Sequence, residues 1–142
     1  MSKKYIYILV SNIIIFFIGI VLNTTMSLLS FILIAYLLPM VSNNVINLTI
    51  KKNRSIKSYF LISGITTLCY FIFSIYFISR PDFQNFISKN QKDTGSISIE
   101  INTGLANIEQ LVFVFLLNFM SIFLLSLFIR KKDSNVRDKR TK

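Results

Sequence analysis

The chain has 142 residues, 53% of them hydrophobic, a mean hydropathy of +0.60, and 16 Lys+Arg against 6 Asp+Glu for a net charge of +10. A soluble domain this apolar would aggregate, so the composition selects a membrane class. There is no His and a single Cys, Cys69, which excludes a disulfide within one chain and most protein metal chemistry.

The chain opens MSKK and turns apolar at once, in the manner of a secretory signal. The run is too long for such a segment and lacks a small-x-small cleavage site before Asn23, so it reads as an uncleaved first helix. Residues 5–50 contain no Asp, Glu, Lys or Arg. As one helix they would reach roughly 70 Å. A bilayer core is about 30 Å thick and takes about 20 residues. The run is therefore two spans, broken at Asn23-Thr24-Thr25. Uncharged runs recur at 58–79 and 110–129. The expected fold is an all-α membrane protein, a four-transmembrane-helix bundle with spans near 5–23, 25–48, 58–79 and 108–129. Pro39 should kink the second, because it lacks an amide hydrogen and clashes with the preceding turn.

Charge sets the expected orientation. Lys3 and Lys4, then Lys51, Lys52, Arg54 and Lys57, then Arg130, Lys131 and Lys132 with the basic tail all fall on one side of these spans. The other side holds only Arg80, Lys89 and Lys92 among basic residues, together with Asp82, Asp93, Glu100 and Glu109. The positive-inside rule then places both termini in the cytoplasm and the loop 80–107 outside, in a multi-pass protein of the cell membrane. Residues 1–132 form one membrane domain, and 133–142 a basic cytoplasmic tail. The basic flanks set topology and attract anionic lipid head groups. They carry no nucleic-acid module or stacking aromatics, so direct nucleic-acid binding is not expected.

The uncharged runs 5–50, 58–79 and 110–129 hold no carboxylate, Lys, Arg or His, which removes the usual groups of proton relays and ion pathways. No catalytic set, cofactor site or metal motif is present, and Cys69 reads as packing. Polar and small residues do recur at helical spacing: Asn12, Gly19 and Asn23; then Ser63, Thr67, Tyr70 and Ser74; then Asn118 and Ser121. Asn12, Thr67 and Asn118 fall near the midplane and are expected to bond helix to helix. Asn43, Asn44 and Asn47 fall at interfacial depth, within reach of water, and carry no assigned role.

The 28-residue loop 80–107 exceeds a minimal connector. Pro81 and Asp82 suit a helix start, and Phe83, Phe86 and Ile87 follow at i, i+3 and i+4. This segment, with Asn85, is expected to lie on the outer leaflet as an amphipathic helix. Residues 97–101, ISIEI, alternate like a strand but lack a visible partner, so they read as extended loop.

The N-terminal apolar hairpin with Asn12, the opener Pro81-x-Phe83-x-Asn85-x-Ile87, and NIEQLVFVFLL leading to RKK together resemble the Msa family, the "modulator of SarA" membrane proteins of Gram-positive bacteria. This chain departs in its loop lysines, Lys89 and Lys92, and in a longer basic tail. The resemblance implies a non-enzymatic accessory protein that modulates expression of a virulence regulator and downstream secreted factors through partners: a membrane sensor, or a second copy of itself. Two other classes compete: a self-protection protein against a membrane-active peptide, and a holin-like pore former. A pore needs a polar lumen, which these spans do not offer in sequence.

The topology is checked with reporter fusions. A fusion at Asn90 is expected to read as exterior, and fusions at Asn53 and Asn135 as cytoplasmic. An exterior signal at Asn135 would leave three spans.

Overall fold

The computed structural model describes residues 3–22, 26–50, 55–93, 98–99 and 103–138, with side chains described for 3–22, 26–50, 55–91 and 104–129. Helix α1 runs Lys3–Val21. The second span, Leu28–Thr49, is built from α2 (Leu28–Ile32), a π-helical turn (Leu33–Leu37) and α3 (Leu38–Thr49). Helix α4 is Ile56–Ser79, and a short helix α5, Phe83–Asn90, follows. A 3-10 turn, Thr103–Ala106, leads into α6, Ile108–Asp138. Four of these stretches, Lys3–Val21, Leu28–Thr49, Ile56–Ser79 and Ile108–Ile129, are long and apolar enough to cross a membrane. They fall within three residues of the expected spans at each end. The broken triplet 23–25 and the basic loop 51–54, with Lys51, Lys52 and Arg54, lie outside the described residues.

The span starts are capped by serines that the apolar pattern did not single out. Ser27 Oγ accepts from Ser30 N–H at 3.2 Å, and Ser55 Oγ from Ser58 N–H at 3.3 Å. Each satisfies one amide that the first helical turn leaves open. Pro39 acts one turn upstream of itself. In α-helical register its nitrogen would bond the Ala35 carbonyl, and it has no hydrogen to give. The backbone widens to π geometry over Leu33–Leu37, with Leu38 N–H donating to Leu33 O five residues back. A π-turn of this kind relieves the ladder without ending the helix.

Side-chain pairings give the order of the bundle. Ser11 meets Ser42, Asn12 meets Asn43 and Lys4 meets Asn47, so α1 and α3 run antiparallel. Gln110 reaches Tyr36, Asn118 meets Asn43 and Ser121 meets Asn44, so α3 and α6 run parallel. Lys4 reaches Ser58 and Phe16 meets Tyr70 and Phe73, so α1 and α4 are also parallel. Phe60 packs on Phe115 and Phe119, which closes α4 against α6. The spans therefore stand in a ring, α1–α3–α6–α4, and the residues near both termini share one end of it.

Two apolar clusters fill the ring. Ile8, Tyr59, Ile62 and Ile122 form one near the Lys4 end. The other is aromatic and lies toward the far end, with Phe16, Phe31, Tyr70, Phe73, Phe77, Phe83 and Phe86. The outer surface is as apolar as the core: Phe17, Leu29, Leu68, Ile72 and Phe128 are all well exposed. Exposed apolar area on every face is what a lipid-facing bundle requires. Tight approach is decided at Gly19, where an added Cβ would sit 2.9 Å from Ile34 Cγ2 and 3.1 Å from Phe73 Cε2.

The loop differs from expectation in three respects. Phe83 and Phe86 are buried, at 2% and 1% exposure, and Ile87 packs against the same aromatic cluster. They face inward, against Phe77 and Phe31, instead of lying on a leaflet. Pro81 lies in the turn before α5 rather than in its first turn, while Asp82 stands at the N-cap as expected, its carbonyl accepting from Phe86 N–H at 3.1 Å. Finally, Lys92–Asp93 (β1) and Ser98–Ile99 (β2) pair antiparallel, Lys92 opposite Ile99, so part of 97–101 does have a partner within the chain. At the other end, α6 runs on to Asp138, so 133–138 continue the helix instead of starting a separate tail.

Gly19→Leu is expected to lower bundle stability by roughly 1–3 kcal/mol, the usual cost of overpacking a filled site. Thermal unfolding in detergent reads this out. A variant as stable as the parent would mean that Ile34 and Phe73 yield without strain.

Candidate functional site

Buried amides in an apolar core must be hydrogen-bonded, because an unpaired one costs several kcal/mol there. This requirement organises the centre of the bundle. Asn43 is fully buried on α3. Its Nδ2 donates to Thr66 Oγ1 on α4 at 2.8 Å and to Asn118 Oδ1 on α6 at 3.0 Å. Its Oδ1 accepts from Asn12 Nδ2 on α1 at 3.1 Å. One side chain thereby joins all four spans. The outer members are tied to their own helices: Asn12 Nδ2 also donates to Ile8 O at 2.8 Å, Asn118 Nδ2 to Val114 O at 3.0 Å, and Thr66 Oγ1 to Ile62 O at 3.1 Å. Asn12 Oδ1 has no hydrogen-bond partner among the described residues.

Two further polar layers stand above and below this hub on the same stripe of the second span. Toward the termini, Lys4 Nζ donates to Asn47 Oδ1 at 2.6 Å and to Ser58 Oγ at 3.2 Å, and Tyr5 OH reaches Ser58 Oγ at 3.3 Å. Lys4 is itself fully buried. Toward the far end, Tyr36 OH lies 3.3 Å from Tyr70 OH and accepts from Gln110 Nε2 at 2.7 Å. Asn44, beside the stripe, donates to Ser121 Oγ at 2.6 Å.

The expected midplane set is thus partly right. Asn12 and Asn118 come together through Asn43. Thr67 does not join them: it is half-buried and donates to Ser63 O on its own helix at 2.9 Å, and the neighbouring Thr66 takes the place expected of it. Asn43 and Asn47, read as water-exposed, are buried. A signal for both was present, since Tyr36, Asn43 and Asn47 stand at i, i+7 and i+11 and share one face. Lys4, read only as a topology flank, lies inside the helix and inside the bundle. Lys57 is exposed at that end, and the side chains of Arg130, Lys131 and Lys132 lie outside the described residues.

The loop is tied to the bundle by a residue that sequence reading passed over. Asn90, the last of α5, accepts from Leu28 N–H at 2.7 Å through Oδ1. Its Nδ2 donates to Met26 O at 3.3 Å and Phe86 O at 2.9 Å. The α5 helix is thereby pinned across the start of the second span. Pro81 and Asn85 stay exposed on its outer side. Arg80 Nη2 reaches Asp82 Oδ2 at 3.3 Å, and this hydrogen bond raises the guanidinium pKa further above its ordinary value. Cys69 is half-buried beside the aromatic cluster. Among the described residues no group of His, Cys, Asp or Glu is placed to hold a metal ion.

No family model, no curated protein and no solved structure matches this chain.

The hub yields a graded series. Asn43→Leu removes three bonds between helices, each worth about 0.6–1.7 kcal/mol in a bilayer, and should cost the most. Asn118→Leu removes one and should cost less. Asn12→Leu removes one but also an unpartnered carbonyl, and should cost least. Thr66→Val is expected to destabilise more than Thr67→Val. Unfolding midpoints in one detergent give the order, and equal losses at 43 and 12 would deny Asn43 its central place.

Proposed function

We propose that this chain is a non-enzymatic regulatory accessory of the cell membrane, with both termini cytoplasmic and the loop 80–107 outside. One observation carries the reading: the central buried amides of Asn12, Asn43 and Asn118 are used to bond helix to helix. The middle of the bundle is structural, which leaves the ends and the apolar outer surface for contact with other molecules. The orientation rests on the charge asymmetry and on a ring that brings Lys3, Lys4 and Lys57 to one end.

The likeness to the Msa family in Asn12, in Pro81 to Ile87 and in NIEQLVFVFLL supports a role in modulating a virulence regulator. Such an effect would be indirect. The protein would bias a membrane partner, which requires different affinity for that partner's two states. The exposed side of α5, with Pro81 and Asn85, is the surface offered outside. A pore through a single bundle is disfavoured, because Ile62, Ile122 and Asn43 fill the axis and are essentially inaccessible.

Deleting the gene is expected to change transcripts of secreted and surface factors, and returning the intact gene to restore them. An unchanged transcriptome with new sensitivity to a membrane-active peptide would replace this reading with the self-protection one.

A further inference from the structure

A groove of about 520 Å³ opens on the outside of the bundle between α1 and α3. Tyr7, Val10 and Ile14 line one wall, and Val45, Thr49 and Ile50 the other. Its volume is within the usual range for a small-molecule site, about 300–1,000 Å³. Its lining is almost wholly apolar, and it faces outward between two spans, where lipid chains lie.

The groove has one charged end. Tyr7, Val10 and Ile14 stand at i+4, i+7 and i+11 from Lys3, so Lys3 shares their stripe of α1. It is exposed, unlike its buried neighbour Lys4. Because α1 and α3 are antiparallel, Lys3 and Tyr7 lie at the same end as Thr49 and Ile50. That is also the end where the chain gathers its positive charge, with Lys57 exposed there. An apolar trough with a cation and a phenol at its membrane-surface end matches an anionic amphiphile: an acyl chain along the trough and a phosphate at Lys3.

We propose that this groove is a binding site for one anionic phospholipid, with an acyl chain held between α1 and α3 and its head group on Lys3 and Tyr7. The network at the hub does not take part, so the site stands or falls independently of the regulatory role.

The test is native mass spectrometry of the full chain released from vesicles of equal phosphatidylglycerol and phosphatidylcholine. The parent is expected to retain phosphatidylglycerol in preference. Lys3→Gln should cut that preference about fivefold, the weight of one basic residue at an anionic surface, and Lys3→Arg should keep it. Lys57→Gln, off the groove, should leave it unchanged. Val10→Trp, which fills the trough from an exposed position, should reduce retention of both lipids with an unaltered unfolding midpoint. Millimolar inorganic phosphate should not displace the lipid, since the chain supplies the hold. Equal retention of the two lipids by the parent would overturn the site, as would loss of preference in Lys57→Gln equal to that in Lys3→Gln. Displacement by free phosphate would make it an anion patch. Efficient disulfide cross-linking of two copies carrying Val10→Cys and Val45→Cys would show that a second copy covers the groove instead.

Discussion

The bundle depends on one carboxamide. A helix core made of Ile, Leu and Phe has no means of choosing a register, because apolar contacts are non-directional and lipid tails compete for them on equal terms. Asn43 supplies direction. Its three interhelical bonds can be made together only when α1, α3, α4 and α6 meet at one depth and one rotation. The Lys4–Asn47–Ser58 layer and the Tyr36–Tyr70–Gln110 layer repeat the same constraint toward either end. Three polar tiers set the register, and the aromatic and aliphatic side chains between them fill whatever space that register leaves.

Much of the architecture was legible in sequence for a simple reason. Charge-free runs of span length have few alternatives in a chain this apolar, and the polar flanks that end them are abrupt. The rotation of each helix was less legible. Thr66 and Thr67 are adjacent and chemically identical; Thr66 turns inward because it shares the buried stripe of Tyr59, Ile62, Tyr70 and Phe73, where Asn43 meets it. Asn43 stands near the end of a long apolar run, a depth at which water is the ordinary partner, yet it is buried. Its period with Tyr36 and Asn47, which marks a buried stripe, was the better guide. Lys4 was misread for a related reason. Near a helix end a lysine is ordinarily a solvated flank, and nothing local announces that Asn47 and Ser58, 43 and 54 residues away, will enclose it.

The amphipathic α5 illustrates a second ambiguity. The spacing of Phe83, Phe86 and Ile87 specifies an apolar face but not what that face meets. A leaflet and the open end of a four-helix bundle are equivalent partners by that criterion. Phe31 and Phe77 resolve it, since both leave ring surface at the bundle end that α5 can cover. The helix forms a plug rather than a float.

That arrangement gives the loop a mechanical consequence. Lifting α5 would uncover two phenyl rings, at about 1.5–3 kcal/mol each. The same movement would withdraw Asn90 from Leu28 N–H and so strip a ligand from the first turn of the second span. The exposed side of α5 and the helix that carries Asn43 are thus geared together: force applied to the short helix is delivered to the strut on which the whole polar core hangs. A molecule that binds the exposed Pro81 and Asn85, without offering new cover for Phe83 and Phe86, leaves that gear engaged and the bundle unchanged.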